Sequence, residues 1–193
     1  MDVIYVVKYS GPFGFIKPWT AVRDSETYSQ QFLTPSIITG IERKLFPELL
    51  KNDDGEIKKI IGHRLNYCGL NIQQEKTWSK GGIYIKREKG IYKTNLGIIN
   101  RGIMIEPNLY LAFKSKNDAE GAYRQNICLC RNEDILLPTD LLELEHENFE
   151  VINGFELVFS TQERGFKVGY NRFKNANEMY GELKVVGNPI REY

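Results

Sequence analysis

Lysine and arginine are most concentrated between Gln74 and Arg101. From Lys76 to Arg101 the bases are Lys76, Lys80, Lys86, Arg87, Lys89, Lys93 and Arg101, seven against the single acid Glu88, a local charge of +6. Trp78, Tyr84 and Tyr92 are interleaved with them, and Gly81-Gly82, Gly90 and Gly97 supply turns. Cationic side chains hold phosphates and aromatic rings stack on unpaired bases, so the pattern fits a hairpin that grips RNA. A solvated hairpin without a ligand has the same composition. The candidate contacts here are Lys80, Lys86, Arg87, Lys89 and Lys93. A second basic and aromatic stretch, Gln162 to Lys174, reads QERGFKVGYNRFK and adds Arg164, Lys167 and Arg172 beside Phe166, Tyr170 and Phe173. Gly165 and Gly169 would let backbone amides approach a phosphate; an ordinary loop with core aromatics is the competing reading.

Catalytic groups are sparse. The two histidines are His63 and His146. Metal-free RNA cleavage needs a base for the attacking 2′-hydroxyl and an acid for the leaving oxygen. His63, Tyr67 and Lys86 carry such groups, but nothing in their spacing requires this use, and a surface or strand-edge position is the plainer reading of His63. His146 stands among Glu143, Glu145, Glu147 and Glu150, a solvated acidic surface rather than a metal site. Cys68, Cys128 and Cys130 are odd in number, and a lone Cys-x-Cys is not a zinc spacing, so they read as reduced, buried thiols. No catalytic residue, metal or cofactor is assigned.

The 193 residues carry a net charge of +1, with 41% hydrophobic and 12% aromatic content. That composition builds a core and excludes a disordered chain. It also means that polyanion binding rests on where the charges sit rather than on their sum. No stretch has the roughly 18 apolar residues of a membrane span, and the start lacks the basic and apolar run of a secretory signal, so a soluble, cytoplasmic protein is expected, with no membrane partner.

These groups need elements to place them. Asp2 to Tyr9 has strand character and ends at the breaker Ser10-Gly11-Pro12. Phe13 to Leu33 lacks clear periodicity and reads as a long ordered loop with room for a short hairpin. Thr34 is placed to cap a helix opened by Pro35, with Ile37, Ile38, Ile41, Leu45 and Leu49 as its apolar stripe and Pro47 as its end. Gly40 within the stripe predicts a close neighbouring backbone. Glu56 to Ile61 reads as a helical turn. Arg64 to Ile72, Gly82 to Tyr92, Ile98 to Ile105 and Leu109 to Phe113 read as strands, Asp118 to Arg124 as a short helix, and Asn126 to Cys130 as a strand before a turn at Arg131 to Asp134. The acidic stretch Asp140 to Glu150 reads as a surface segment or linker, and Phe155 to Ser160 and Gly181 to Val186 as the last strands. A strand, a loop, a helix and then several strands suit an α+β, ferredoxin-like core with insertions.

The segment Gly11 to Phe46 resembles the N-terminal signature of CRISPR-associated RAMP proteins of the Cas-five type. The matching residues are Phe15-Ile16-Lys17-Pro18, Thr27-Tyr28, Pro35-Ser36 and Gly40. Ile127 to Asp134, ICLCRNED, is similar to the later strand of that family, which ends in a Leu-Gly-Arg-like turn; Cys130 stands here where the glycine is usual. The resemblance implies a ferredoxin-like (RRM-related) domain over 1–138, with a basic β-hairpin thumb inserted near 74–101, and a small β-rich C-terminal part over 139–193. It implies a non-catalytic subunit that binds crRNA, holds the five-prime handle of the guide and caps a backbone of Cas-seven-type subunits beside a large subunit. Lys17, Trp19 and Arg23 in the signature loop become candidates for a base pocket. One branch of the family cleaves precursor crRNA, and related RAMP subunits of type III or type IV effectors share the Pro-Ser helix; both stand as alternatives. A further class is a protein-interaction module whose basic hairpin docks an acidic partner.

Overall fold

The computed structural model of the chain describes residues 2–18, 26–52, 54–78, 85–94, 96–171 and 175–192. Strand β1 (Val3–Ser10) alternates in two directions: Val7 and Tyr9 enter one apolar cluster, while Ile4 and Val6 enter another on the opposite face. The stretch after it holds two very short strands, β2 (Phe13–Gly14) and β3 (Glu26–Tyr28). They do not form a hairpin with each other, as the sequence left room for; both pair with a later strand, β2 antiparallel and β3 parallel.

Helix α1 (Pro35–Leu45) buries Ile38, Ile41 and Leu45, the expected stripe, and stops before Pro47, which opens a 3₁₀ turn over Pro47–Asn52. Thr34 caps it through its carbonyl, which accepts from the N–H groups of Ile37 and Ile38; its hydroxyl faces Ser36 Oγ at 3.0 Å instead of the helix backbone. Gly40 is exposed, and a Cβ there would meet nothing within 4 Å, so the close backbone expected at this position is absent.

Glu42 sets the path of the chain beyond the helix. Its fully buried carboxylate accepts from the backbone N–H groups of Lys58 (3.0 Å), Lys59 (2.6 Å) and Ile60 (2.9 Å). Those three N–H groups are thereby unavailable to a helix, and the turn expected over 56–61 is not formed. The chain enters β4 (Ile60–Asn66) in extended form. The single strand expected over 64–72 is broken at Tyr67-Cys68, where the inserted arm begins.

The arm consists of β5 (Gly69–Trp78), a small hairpin of β6 (Ile85–Glu88) and β7 (Ile91–Thr94), and β8 (Leu96–Ile105). β5 and β8 pair antiparallel along their whole length, Gly69 opposite Ile105 and Trp78 opposite Leu96. The insertion therefore spans 69–105, wider than the 74–101 expected from the charge pattern. Tyr28 lies on the arm at Gly102: a Cβ there would stand 2.1 Å from the tyrosine ring, so only glycine permits this contact.

β9 (Asn108–Phe113), α2 (Lys116–Tyr123), β10 (Ile127–Cys128) and β11 (Ile135–Glu145) complete the core. Ser115 Oγ caps α2 by accepting from Asp118 N–H. The strand order β11-β1-β9-β4, antiparallel throughout, is the ferredoxin-like arrangement, with α1 and α2 on the face of Val7, Tyr9, Leu65, Leu109, Leu111 and Phe113. Tyr9 is buried there, its hydroxyl donating to Ala122 O at 2.8 Å, and burial raises its pKa. The acidic stretch read as a linker is β11 plus α3 (His146–Glu150), whose Phe149 covers the opposite face beside Ile4, Val6 and Ala112. β11 crosses residues 138 and 139 with only a bulge, so the sheet continues through the boundary expected there.

β12 (Gly154–Ser160), β13 (Phe166–Asn171) and β14 (Asn177–Val186) extend the same sheet in the order β4-β12-β14-β13. The stretch 162–174, read as a loop, thus contributes a strand. A buried ion pair holds the extension to the core. Arg64, with none of its side chain exposed, meets the carboxylate of Glu156, lies 3.4 Å from that of Glu150, and sits over the Phe149 ring at 4.8 Å. Beside it His63 is buried and its Nε2 has no hydrogen-bond partner among the described residues. Burial, helped by the Arg64 charge, pushes its pKa down to about 3. Of the three cysteines, all free, only Cys68 is buried; Cys130 is exposed, contrary to the sequence reading.

The core can be tested at two of its residues. Glu42→Ala leaves three N–H groups without their acceptor and should cost about 3 kcal/mol, lowering Tm by roughly 6–12 °C, as read by calorimetry. His63 is neutral when folded and binds a proton on unfolding between pH 6.5 and about 3, so its contribution to stability is whole above pH 6.5 and shrinks as pH falls. Urea titrations between pH 6 and 4.5 should show wild type losing up to about 1.4 kcal/mol per pH unit from this group, a slope that His63→Leu removes.

Candidate nucleic-acid interface

The structure gathers one group of the expected contact residues. Lys86, Arg87, Lys89 and Lys93 all lie on the β6-β7 hairpin at the tip of the arm. Its connection is the two-residue turn Lys89-Gly90, with φ of +51° and +80°, the left-handed pair of a tight hairpin turn. The register sets Lys86 directly opposite Lys93 and Arg87 opposite Tyr92. Arg87 and Lys89 are exposed. A two-stranded hairpin of this size is at best marginal alone, and the β5-β8 arm carries it.

The arm is fixed to the core by Arg131. Its backbone N–H and Nε both donate to Asp134 Oδ2 at 2.9 Å, and a second nitrogen to Oδ1 at 2.7 Å. The remaining nitrogen reaches Gln73 Oε1 (2.9 Å) and Glu75 Oε1 (3.5 Å) on β5. Asp134 is fully buried, and the pairing, led by its hydrogen bond to Arg131, raises the Arg131 pKa. Arg101, across the arm from Gln73, donates from Nε to Glu75 at 3.1 Å. Both guanidinium groups approach the ring of Phe15, 2% exposed, at 5.4 Å for Arg131 and 5.5 Å for Arg101. The Phe15-Ile16-Lys17 element and the Arg131 turn, which carried the family resemblance, are therefore parts of one joint. Arg101, counted among the basic cluster of the arm, belongs to this joint and is paired with Glu75.

The other expected residues are dispersed. Lys17 is exposed just beyond buried Phe15 and Ile16. Trp19, Arg23, Lys80 and Arg172 lie outside the described residues. Arg164 is exposed in the turn before β13, in the sheet extension rather than on the arm. Lys167 is on β13, bonded to Glu178 and to Tyr170 Oη (2.6 Å), contacts that raise its pKa and engage its charge within the strand pair.

The residues weighed for RNA cleavage do not form a surface site. His63 and Tyr67 are both buried, and burial raises the Tyr67 pKa as it lowers that of His63. Lys86 belongs to the separate β6-β7 hairpin. The surface or edge position expected for His63 is corrected: it lies in β4, between β9 and β12. His146 is exposed at the start of α3, where Glu150 is engaged by Lys184 and Arg64. Among the described residues no group of three or more His, Cys, Asp or Glu side chains is placed to hold a metal ion, and no helix is long and apolar enough to cross a membrane.

No family model matches the sequence, and no curated protein matches it. Solved structures do match. One is a chain of a CRISPR RNA-guided surveillance complex, 10% identical, with a TM-score of 0.55 over 97% of this chain and 90% of that one. Another is a Cas protein, 15% identical, with a TM-score of 0.43 over 98% of each chain. The first likeness, over nearly the whole of both chains, establishes that this α+β, ferredoxin-like architecture is shared with a subunit of an RNA-guided complex.

Proposed function

We propose that the chain is a non-catalytic RNA-binding subunit of a CRISPR effector complex, acting in the cytoplasm. In this reading it holds the five-prime handle of the crRNA and caps a backbone of Cas-seven-type subunits, next to the large subunit. The observation that carries it is the arm: a tip hairpin with two lysines in directly opposed register, mounted on ten-residue strands that are anchored to the core by Arg131. Such a hairpin presents charge to a phosphate backbone, while the anchoring fixes where along the core that backbone runs. The fold shared with a subunit of a surveillance complex supports the same assignment, as does the family resemblance of Gly11 to Phe46.

Replacing Lys86, Arg87, Lys89 and Lys93 with alanine should weaken binding of single-stranded guide RNA steeply at low salt. Every phosphate that is no longer neutralised lowers the slope of log affinity against log salt by about 0.7, so the slope should fall by up to about 3. Substitutions at exposed positions such as Arg87 and Lys89 shift stability by about 0.5 kcal/mol or less each. Anisotropy titrations at several salt concentrations, with Tm measured in parallel, check both halves. Wild-type affinity and slope in the quadruple variant would exclude the arm as the grip.

A further inference from the structure

A solvent-open pocket of about 330 Å³ lies where the end of β1, the turn from β8 into β9 and Arg191 of the C-terminal tail meet. Its walls are Ser10, Gly11, Pro12, Glu106, Asn108 and Arg191. The tail is fixed by backbone bonds to the β4-β5 junction: Tyr67 N–H donates to Pro189 O (3.1 Å) and Arg191 N–H to Tyr67 O (2.8 Å). That places the Arg191 side chain on the wall rather than free in solvent. The volume is at the lower end of the roughly 300–1000 Å³ of small-molecule sites.

Two groups on this wall are held in unusual ways. The Arg191 guanidinium donates to the backbone carbonyl of Glu106. With the Asn108 amide turned so that Nδ2 donates to Ser10 Oγ (2.6 Å), its oxygen stands 3.0–3.3 Å from all three Arg191 nitrogens. Both acceptors are neutral, and among the described residues no carboxylate pairs with Arg191. The guanidinium is thus oriented without being neutralised. Glu106, between β8 and Pro107, has φ of +48°, a left-handed conformation that costs a side-chain-bearing residue roughly 1–2 kcal/mol and that glycine would adopt freely. Glu106 lines the pocket, and one of its carboxylate oxygens accepts from Cys68 Sγ at 3.4 Å. Strain kept at a polar residue in a pocket points to a ligand.

A planar fork of donors next to a carboxylate complements a surface with two adjacent acceptors next to two adjacent donors. Among nucleobases guanine has that pattern, with O6 and N7 as acceptors and N1–H and the 2-amino group as donors; adenine and cytosine offer an amino group without the neighbouring ring N–H, and uracil a single N–H. We propose that the pocket reads one unpaired guanine, Arg191 donating to O6 and N7 and Glu106 accepting from N1–H and the 2-amino group. The inference rests on the RNA-binding reading above: the arm holds phosphates, and this pocket at its base supplies a base contact.

The test uses the full chain and labelled oligouridine of about ten nucleotides, alone or with one central guanosine, 7-deazaguanosine (no N7) or inosine (no 2-amino group). Wild type should prefer the guanosine strand by about tenfold. The 7-deaza strand should lose most of that preference in wild type and nothing further in Arg191→Ala. Inosine should do the same with respect to Glu106→Gln. Arg191→Lys keeps the charge but not the fork, so it should match the alanine variant toward N7, and it decides the question if Arg191→Ala fails to fold. Oligouridine binding without a guanosine preference, or a preference that survives these variants, overturns the pocket and leaves the RNA-binding reading standing. Failure of wild type to bind any strand overturns both.

Discussion

The side-chain joint between the arm and the core depends on how one guanidinium is satisfied. Arg131 comes after a buried strand and is locked at its own turn by Asp134, so only one of its terminal nitrogens is left to reach across to β5. That reach, together with the contacts of Arg131 and Arg101 with the Phe15 ring, adds a side-chain joint to the backbone pairing of β2 and β3 with β8. Removing Arg131 would leave buried Asp134 without its main partner, and an unpaired buried charge is strongly destabilising. Core and arm are coupled through that requirement: the turn cannot keep Asp134 buried without Arg131, and Arg131 in place fixes the arm.

A second charged joint does for the sheet extension what the first does for the arm. Arg64 of β4 is sealed beneath Phe149 and meets Glu156 of β12, so the last three strands are joined to the ferredoxin-like core by a desolvated pair as well as by backbone pairing. The two joints divide the bases of the chain into classes. Arg64, Arg101, Arg131 and Lys167 are engaged by carboxylates within the fold. The lysines of the β6-β7 hairpin are instead collected by register, and Arg191 is aimed into a pocket by neutral groups.

Much of the core was legible because its signals are local. The Ile38, Ile41 and Leu45 stripe and the Pro35 and Pro47 boundaries specify α1 without reference to any other element. The failures occurred where distant residues decide. The turn expected at 56–61 is captured by Glu42, sixteen or more residues upstream. β11 hid behind its acids and Pro138, a residue tolerated there because it sits at a bulge on a strand whose outer side is covered only near Ile135 and Leu136. β13 looked like a loop because its pairing with β14 needs a residue such as Gly169, at φ +141°, beside the register shift. The tip bases could be found by counting charges, whereas nothing local marks Arg191: its neighbours in the pocket are 83 to 181 positions away along the chain, as the numbers of Asn108 and Ser10 show.

If RNA runs along the arm, it should be caught there. Photo-crosslinking the purified chain to a guide RNA containing 4-thiouridine, with mass spectrometry of the digested adducts, tests this most directly. The principal adducts should fall on peptides from the β5-β8 insertion, with the β6-β7 hairpin among them. Adducts confined to β12-β14, with the insertion unmodified, would contradict it.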